Sequence, residues 1–197
     1  MTSTERRHTR AMDQPGDPTV AVVGPATNGR SVWSVWRWLR NPPLDGPPAT
    51  IVVRLMAGGV FLWEGMLKFV YHNQGGGRFA LIGIPLPETM AIFVAVLEIV
   101  GGCLLISGLF TRLITIPFIV EMLVAMLSTK IAIYLGTSPL PLPPSPPQIG
   151  PWAVLHEIRS EYAQLLSVIF LLFVGPGPWS IDALWARKRS QSNSFPV

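Results

Sequence analysis

Charged side chains recur within the long apolar stretches of this 197-residue sequence, and they are the residues that could carry chemistry. An ionised side chain near the centre of a bilayer costs about 2.5–3.5 kcal/mol on insertion scales, whereas a Leu or Phe gains only about 0.3–0.6 kcal/mol. Several apolar residues must therefore offset the cost of each charge. A charged residue kept at that cost is expected to have a function or to fix the packing of helices. Glu98 and Glu121, each within an apolar stretch, are the predicted proton-handling catalytic residues.

Glu98 lies on a helical stripe whose other members are small, which predicts that this face points into a helix bundle. Those other members are Ala91, Ala95 and Gly102. Unless this carboxyl group, buried in protein rather than in lipid, meets a cation or several donors, it is predicted to be protonated or to act as a proton acceptor. A structural hydrogen bond to a neighbouring helix explains it equally well. Glu121 begins a second small and polar stripe, four residues after Pro117, whose ring removes a helical hydrogen bond and bends the helix.

A second set of charged residues is predicted to cluster on the outer side of the membrane, opposite the basic tails. Glu64 and Lys68 are four residues apart, so they share a helical face and are expected to neutralise each other. An ion pair that only fixes helix packing is the alternative to a functional role. Lys130 is expected to extend towards the lipid headgroups, with a place in the network of charged residues as the alternative. The predicted ligand-binding residues are Glu64, Lys68, Arg78, His156, Glu157, Arg159 and Glu161.

Residue types and spacing argue against several common kinds of site. Cys103 is the single cysteine, so the chain can form no internal disulfide and no CxxC redox centre. Only His72 and His156 accompany the outer carboxylates, so no metal site is predicted. The run Gly75-Gly76-Gly77 lacks the flanking strand and helix of a phosphate-binding loop. We recognise no catalytic triad and no basic, aromatic surface for nucleic acid.

The elements that must position these side chains are transmembrane helices. Apolar residues make up 49% of the chain and charged residues only 13%, and the mean hydropathy is +0.43. The apolar residues form stretches that can cross roughly 30 Å of hydrocarbon at about 1.5 Å per helical residue. We predict an all-α, integral membrane four-helix bundle with spans at about 51–70, 89–109, 113–134 and 152–174. The last span is inferred, because its apolar run, residues 165–174, is too short to cross alone.

Composition also divides the rest of the chain. Residues 1–30 are predicted to be a disordered basic cytoplasmic tail, and residues 31–40 an interfacial amphipathic helix rich in Trp and Arg. The Pro-rich outer loop covers 138–151, and a second basic cytoplasmic tail covers 186–197. All but four of the 15 Lys and Arg residues fall on the side of the tails, so the positive-inside bias predicts that both termini are cytoplasmic.

A series of short motifs over residues 51–185 resembles the DoxX family of membrane proteins. Their order and spacing together carry the resemblance, while the first tail and the Pro-rich loop lie outside its motifs. The motifs are Arg54-Leu55, Gly58-Gly59-Val60-Phe61-Leu62, Gly65, Lys68-Phe69, Gly83-Ile84-Pro85, Glu98-Ile99-Val100-Gly101-Gly102, Gly108-Leu109-Phe110-Thr111-Arg112, Met122-Leu123-Val124-Ala125, His156-Glu157 and Gly175-Pro176-Gly177-Pro178-Trp179-Ser180-Ile181-Asp182.

This resemblance implies a small four-helix protein of a bacterial plasma (inner) membrane, with 51–185 as its membrane domain. It implies a relationship to the membrane subunit of thiosulfate:quinone oxidoreductase and to sulfur and oxidative-stress redox chemistry. It implies no settled catalytic residue.

The functional hypothesis that follows is a membrane subunit or accessory protein of a quinone-linked or thiol/sulfur redox system. Its outward-facing intramembrane polar site would take a quinone or lipid-like ligand, and a soluble redox protein would be its partner. The alternative is a non-enzymatic scaffold or assembly factor that recruits a soluble partner. A small-molecule permease is a third class, but it would more often show internal repeats or several broken helices.

Overall fold

The computed structural model describes residues 32–40, 44, 46–141 and 147–192. All regular secondary structure in these residues is helical, which confirms the predicted all-α class. The predicted tail at 1–30 lies outside the described residues, as do residues 142–146 of the predicted Pro-rich loop and 193–197 of the second tail. The eight helices of the described residues are α1 Val32–Arg40, α2 Thr50–Val70, α3 Gly76–Leu81, α4 Pro87–Ser107, α5 Thr111–Leu135, α6 Pro151–Glu157, α7 Arg159–Val174 and α8 Ile181–Ser192.

Three of the helices in the described residues, α2, α4 and α5, are long and apolar enough to cross a membrane. They contain 21, 21 and 25 residues, and 21 residues rise about 32 Å. Most of their apolar surface is not covered by the rest of the chain, as expected for helices solvated by lipid. The chain is therefore a membrane protein.

The predicted fourth span at 152–174 is not one helix. It is divided at Ile158 into α6 and α7, and α7 alone has 16 residues, which rise only about 24 Å. The division falls in the most polar part of the segment, where the guanidinium of Arg159 donates to the carbonyl oxygen of His156 at 2.6 Å. The candidate spans of the described chain are therefore three rather than the predicted four.

α2 and α4 approach each other closely along a face of small residues. A Cβ added to Gly58 would lie 2.8 Å from the carbonyl oxygen of Gly102, and one added to Gly102 would lie 2.7 Å from that of Gly58. A Cβ at Gly65 would likewise lie 2.8 Å from the carbonyl oxygen of Ala95. These contacts confirm that the stripe containing Ala95 and Gly102 faces a neighbouring helix.

The apolar core is shared by α2, α4, α5 and α7. At its centre the rings of Phe61 and Phe118 stack at 3.7 Å between centroids with an interplanar angle of 2°. Leu105 and Leu171, both fully buried, pack in the same cluster. The core thus joins α7 to the three candidate spans.

Arg54 organises one end of the bundle, which we call the α8 end. Its side chain is only 2% exposed and donates to four backbone carbonyl groups. The acceptors are Leu105 O (2.9 Å), Ile106 O (2.7 Å), Pro176 O (2.8 Å) and Trp179 O (2.8 Å). Helix C-termini leave such carbonyl groups without helical partners, so one guanidinium satisfies the end of α4 and the α7–α8 connection together.

Arg112 attaches α1 to the same end. Its guanidinium donates to Trp38 O at 2.8 Å and to Phe173 O at 2.7 Å, and its central carbon lies 4.0 Å from the centre of the Trp38 ring. The cation–π contact and the two hydrogen bonds hold α1 against α5 and α7.

Asp182 joins α8 to the α4–α5 turn. Its carboxylate accepts the N–H of Phe110 at 3.1 Å, where the backbone is left-handed with φ 51°. Burial raises the pKa of Asp182 above its ordinary value, against the opposing effect of the backbone N–H groups of Phe110 and Thr111 and of the Arg54 charge.

Candidate functional site

The buried ion pair of Lys68 and Glu98 is the centre of the site. Lys68 Nζ lies 2.8 Å from Glu98 Oε1 and 2.7 Å from Oε2, and the two side chains are only 12% and 3% exposed. The close approach of α2 and α4 positions the pair, because a Cβ at Gly65 would lie 2.9 Å from Glu98 Cβ. Glycine at this position lets the lysine, one turn further along α2, reach across to α4.

The expected pairing of Lys68 with Glu64 is wrong. Glu64 is exposed, whereas Lys68 turns to the buried carboxylate of Glu98. The attraction between opposite charges is larger away from water, so the interhelical partner outweighs the neighbour on the same helix. Glu64 still acts on both buried carboxyl groups of the site through its charge.

Glu121 completes the site from α5. Its carboxyl group lies within hydrogen-bonding reach of Glu98, and its Oε2 is buried without a hydrogen-bond donor among the described residues. Pro117 lies inside α5 one turn earlier, where its ring removes the hydrogen bond to the carbonyl group of Leu113. Two carboxyl groups this close repel each other when both are ionised, so one shared proton suits the pair.

A cavity of about 300 Å³ reaches the site from the other end of the bundle, which we call the α3 end. It lies between the end of α2, α3 and the start of α4, and its wall includes Lys68, Gly76, Ala91 and Ile92. His72 and Glu88 also line it; both are exposed, with His72 Nδ1 3.7 Å from Glu88 Oε1. Lys68 therefore contacts both the cavity and the buried carboxyl pair.

A second charged group lies between α5 and the α6–α7 segment. Lys130 is 7% exposed and its Nζ lies 2.7 Å from Glu161 Oε1, so the expectation that Lys130 extends to the headgroups is wrong. Its charge is neutralised inside the protein, which removes the reason to reach the interface. His156 and Glu157, at the end of α6, are more exposed, and His156 Nδ1 lies 3.2 Å from Glu157 Oε1. An apolar cavity of about 300 Å³ adjoins Lys130.

The charged residues predicted to form one outer cluster thus belong to different contacts. Glu121 and Lys130 are nine residues apart on α5, which places them on opposite faces of that helix. Arg78 lies in α3 and takes part in neither ion pair. Ligand binding by the seven predicted residues stays a prediction. Among the described residues, no three His, Cys, Asp or Glu side chains are grouped so as to hold a metal ion.

The residues that sequence reasoning missed are Arg54 and Arg112. Each belongs to one of the motifs that resemble the DoxX family. An arginine near the end of an apolar helix, however, is usually explained by contact with lipid headgroups. Their acceptors lie more than 50 residues away along the chain, so only tertiary contacts identify them. No local sequence pattern indicates those partners.

Comparison with known proteins identifies relatives in two bacteria. The DoxX family model matches residues 49–131. A protein of Mycobacterium tuberculosis strain H37Rv, "Uncharacterized membrane protein Rv3486", is 40% identical over 157 residues, which cover 77% of this chain and 90% of that protein. A Bacillus subtilis strain 168 protein, "Putative oxidoreductase CatD", is 33% identical over 82 residues, or 42% of this chain and 60% of that protein. No solved structure matches the chain.

Proposed function

Because the chain belongs to the DoxX family, we propose that it is the membrane subunit or accessory protein of a quinone-linked redox system. The observation that carries the proposal is the contact of Lys68 with the buried Glu98–Glu121 pair beside an open cavity. The name of the Bacillus subtilis relative, which describes an oxidoreductase, supports redox chemistry as the class of function.

The size and position of the cavity suit the ring of a quinone. Ligand sites have volumes of about 300–1,000 Å³, and this cavity, at about 300 Å³, lies at the lower limit. One aromatic ring fits such a volume, while an isoprenoid tail would extend into lipid along the exposed side of Ile92. A quinone bound there takes up two electrons and two protons on reduction, and a soluble redox protein would supply the electrons.

The side chains of the site have complementary roles in this chemistry. The ammonium of Lys68 faces negative charge that develops on a ring oxygen and stabilises it in a water-poor site. The carboxyl pair of Glu98 and Glu121 holds one proton between two oxygen atoms and can release or take it up. Positioned proton transfer of this kind typically contributes about 10²- to 10⁴-fold in rate.

The proposal includes a membrane topology. α6 and α7 together complete a fourth crossing, supported by the place of Leu171 in the shared core. Both termini are then cytoplasmic, in agreement with the concentration of Lys and Arg residues near the tails. The cavity opens to the outer side of a bacterial plasma membrane, and the predicted Pro-rich loop lies on the same side.

A binding titration tests the proposal directly. The purified full-length chain in nanodiscs is titrated with a benzoquinone that carries a short alkyl tail, and binding is followed by quenching of tryptophan fluorescence. We expect saturable binding that Lys68→Met weakens at least about tenfold, the effect of losing one hydrogen bond to a charged group. Arg187→Lys, which changes an exposed side chain at the α8 end, away from the cavity, should bind as the parent does. The absence of saturable binding by the parent protein would contradict a quinone site.

A scaffold or assembly factor is the second candidate. It is favoured by the way Arg112 and Arg54 attach α1 and α8 to one end of the bundle, where a soluble partner could dock. Glu98→Gln separates the two functions, because a folded variant that keeps full cellular activity supports the scaffold. Loss of activity with unchanged partner capture supports the redox subunit.

A further inference from the structure

The cavity at the α3 end joins two groups of titratable side chains. His72 and Glu88 contact it where the protein is exposed, and Lys68 contacts it from the buried side. We propose that this cavity is the path by which protons from the aqueous phase reach the Glu98–Glu121 pair, with Lys68 as the residue that passes them on. The use of these protons rests on the proposed function, but the path can be tested without a quinone.

The opposite direction is closed by aromatic packing. Phe61 precedes Lys68 by two helical turns on α2, and Phe118 precedes Glu121 by one turn on α5, both towards the α8 end. Their rings are fully buried and stacked at 3.7 Å. A Cβ at Gly101, one turn beyond Glu98 on α4, would overlap the Phe118 ring. On all three helices, therefore, buried apolar contacts separate the carboxyl groups from the α8 end.

Towards the α3 end the site is polar and open. Lys68 keeps 12% of its side chain exposed while its ammonium contacts Glu98, so the same group is shared by the cavity and the carboxyl pair. A polar space of about 300 Å³ holds several water molecules at about 30 Å³ each. Glu121 Oε2 is buried with no donor among the described residues, and Glu98, which contacts Lys68, lies within hydrogen-bonding reach of the Glu121 carboxyl group.

The transfer conserves charge and protons. The Lys68 ammonium donates one proton to the carboxylate oxygen of the pair and becomes a neutral amine. The amine then takes one proton from water in the cavity, and exchange with His72 and Glu88 restores that water. The net result is one proton moved from the aqueous phase to the Glu98–Glu121 pair. Glu64, the remaining charged group that acts on both carboxyl groups, is exposed outside this path.

A test can block the cavity chemically. Ile92 and Phe93 are adjacent and both exposed, but only Ile92 lines the cavity. Because Cys103 is the single cysteine, Cys103→Ser provides a background in which Ile92→Cys or Phe93→Cys is labelled selectively with a bulky maleimide. In nanodiscs, infrared spectroscopy follows the carbonyl band of the protonated carboxyl pair after transfer to heavy water. Glu121→Gln identifies the band.

We expect the label on Ile92→Cys to slow deuterium exchange of that band, and the label on Phe93→Cys to leave it unchanged. Lys68→Met should slow exchange by about 10²-fold, the lower value for loss of a positioned proton carrier. Lys68→Arg keeps a cation beside Glu98, which protects the fold, but a guanidinium does not give up its proton. Exchange in this variant should therefore be slowed as well, and a parent-like rate would overturn the role of Lys68. Equal exchange rates in both labelled variants, or no protonated carboxyl band, would overturn the path. Neither result depends on quinone binding, so failure of the path is distinguishable from failure of the proposed function.

Discussion

The ammonium group of Lys68 lies 2.8 Å from Oε1 of Glu98 on a different helix, although Glu64 offers the same functional group one turn away on its own helix. The pairing of Lys68 with Glu98 rather than with Glu64 forms the site. It brings a cation from the α3 end to the middle of α4 and places it beside the second carboxyl group, Glu121. A pairing within α2 would have left both buried carboxyl groups without a counter-charge.

Removal of one member of this pair should be costly. Lys68→Met leaves the carboxyl groups of Glu98 and Glu121 buried without a cation, and breaking a buried pair in this way costs about 3–5 kcal/mol. We expect a clear fall in the melting temperature of the purified protein in detergent. Adding Glu98→Gln to Lys68→Met should recover part of the loss, because the uncompensated charge is removed. Glu64→Gln is the control. An equal fall in the melting temperature of that variant would contradict a stabilising role of the buried Lys68–Glu98 pair.

The close contact of α2 and α4 predicts a sharp difference between neighbouring glycines. Gly58→Ala places a Cβ 2.8 Å from the carbonyl oxygen of Gly102, so the helices must separate, and overpacking of this kind costs about 1–3 kcal/mol. Gly59→Ala meets no atom within 4 Å and should be neutral or slightly stabilising. Thermal unfolding of the two variants provides the comparison. Equal melting temperatures would contradict the contact.

Arg54 is predicted to be irreplaceable by lysine. Its four hydrogen bonds use the fork geometry of the guanidinium, and an ammonium with three donors on a different stem cannot reach the same four carbonyl groups. Arg54→Lys should lower stability by more than about 2 kcal/mol, since each lost bond to a charged group is worth about 1.5–3 kcal/mol. The exposed Arg187→Lys should have no effect. Faster proteolytic cleavage between α7 and α8 in Arg54→Lys would show that this connection opens.

The raised pKa of the Asp182 carboxyl group predicts that the stability of the protein depends on pH. Because burial raises its pKa above the ordinary value of 3.8, the folded chain holds the proton more tightly than the unfolded chain. The stabilisation is fully present below about pH 4 and is lost as the pH rises through the raised pKa. Asp182→Asn removes this titration, so the melting temperature of the parent should fall relative to that of the variant as the pH increases. A constant difference across the pH range would contradict the raised pKa.

Much of the fold follows from local sequence. Residues 51–70, 89–109 and 113–134 are predicted as spans because apolar runs of that length have few other stable structures, and α2, α4 and α5 occupy these regions. Hydropathy does not predict a single spanning helix over 152–174, because His156, Glu157 and Arg159 interrupt the apolar residues where α6 ends and α7 begins. A wholly local rule cannot decide whether neighbouring helices will accommodate those charges.

By itself, the sequence determined the helical membrane class and the inward face of Glu98. These depend on hydropathy and spacing within one helix, which are properties of neighbouring residues. Only the tertiary structure decided the partner of Lys68, the burial of Lys130 and the carbonyl groups bound by Arg54. An ion pair or hydrogen bond forms with whichever group is nearest in space and least exposed to water, and residues 30 to 125 positions apart provide those groups here.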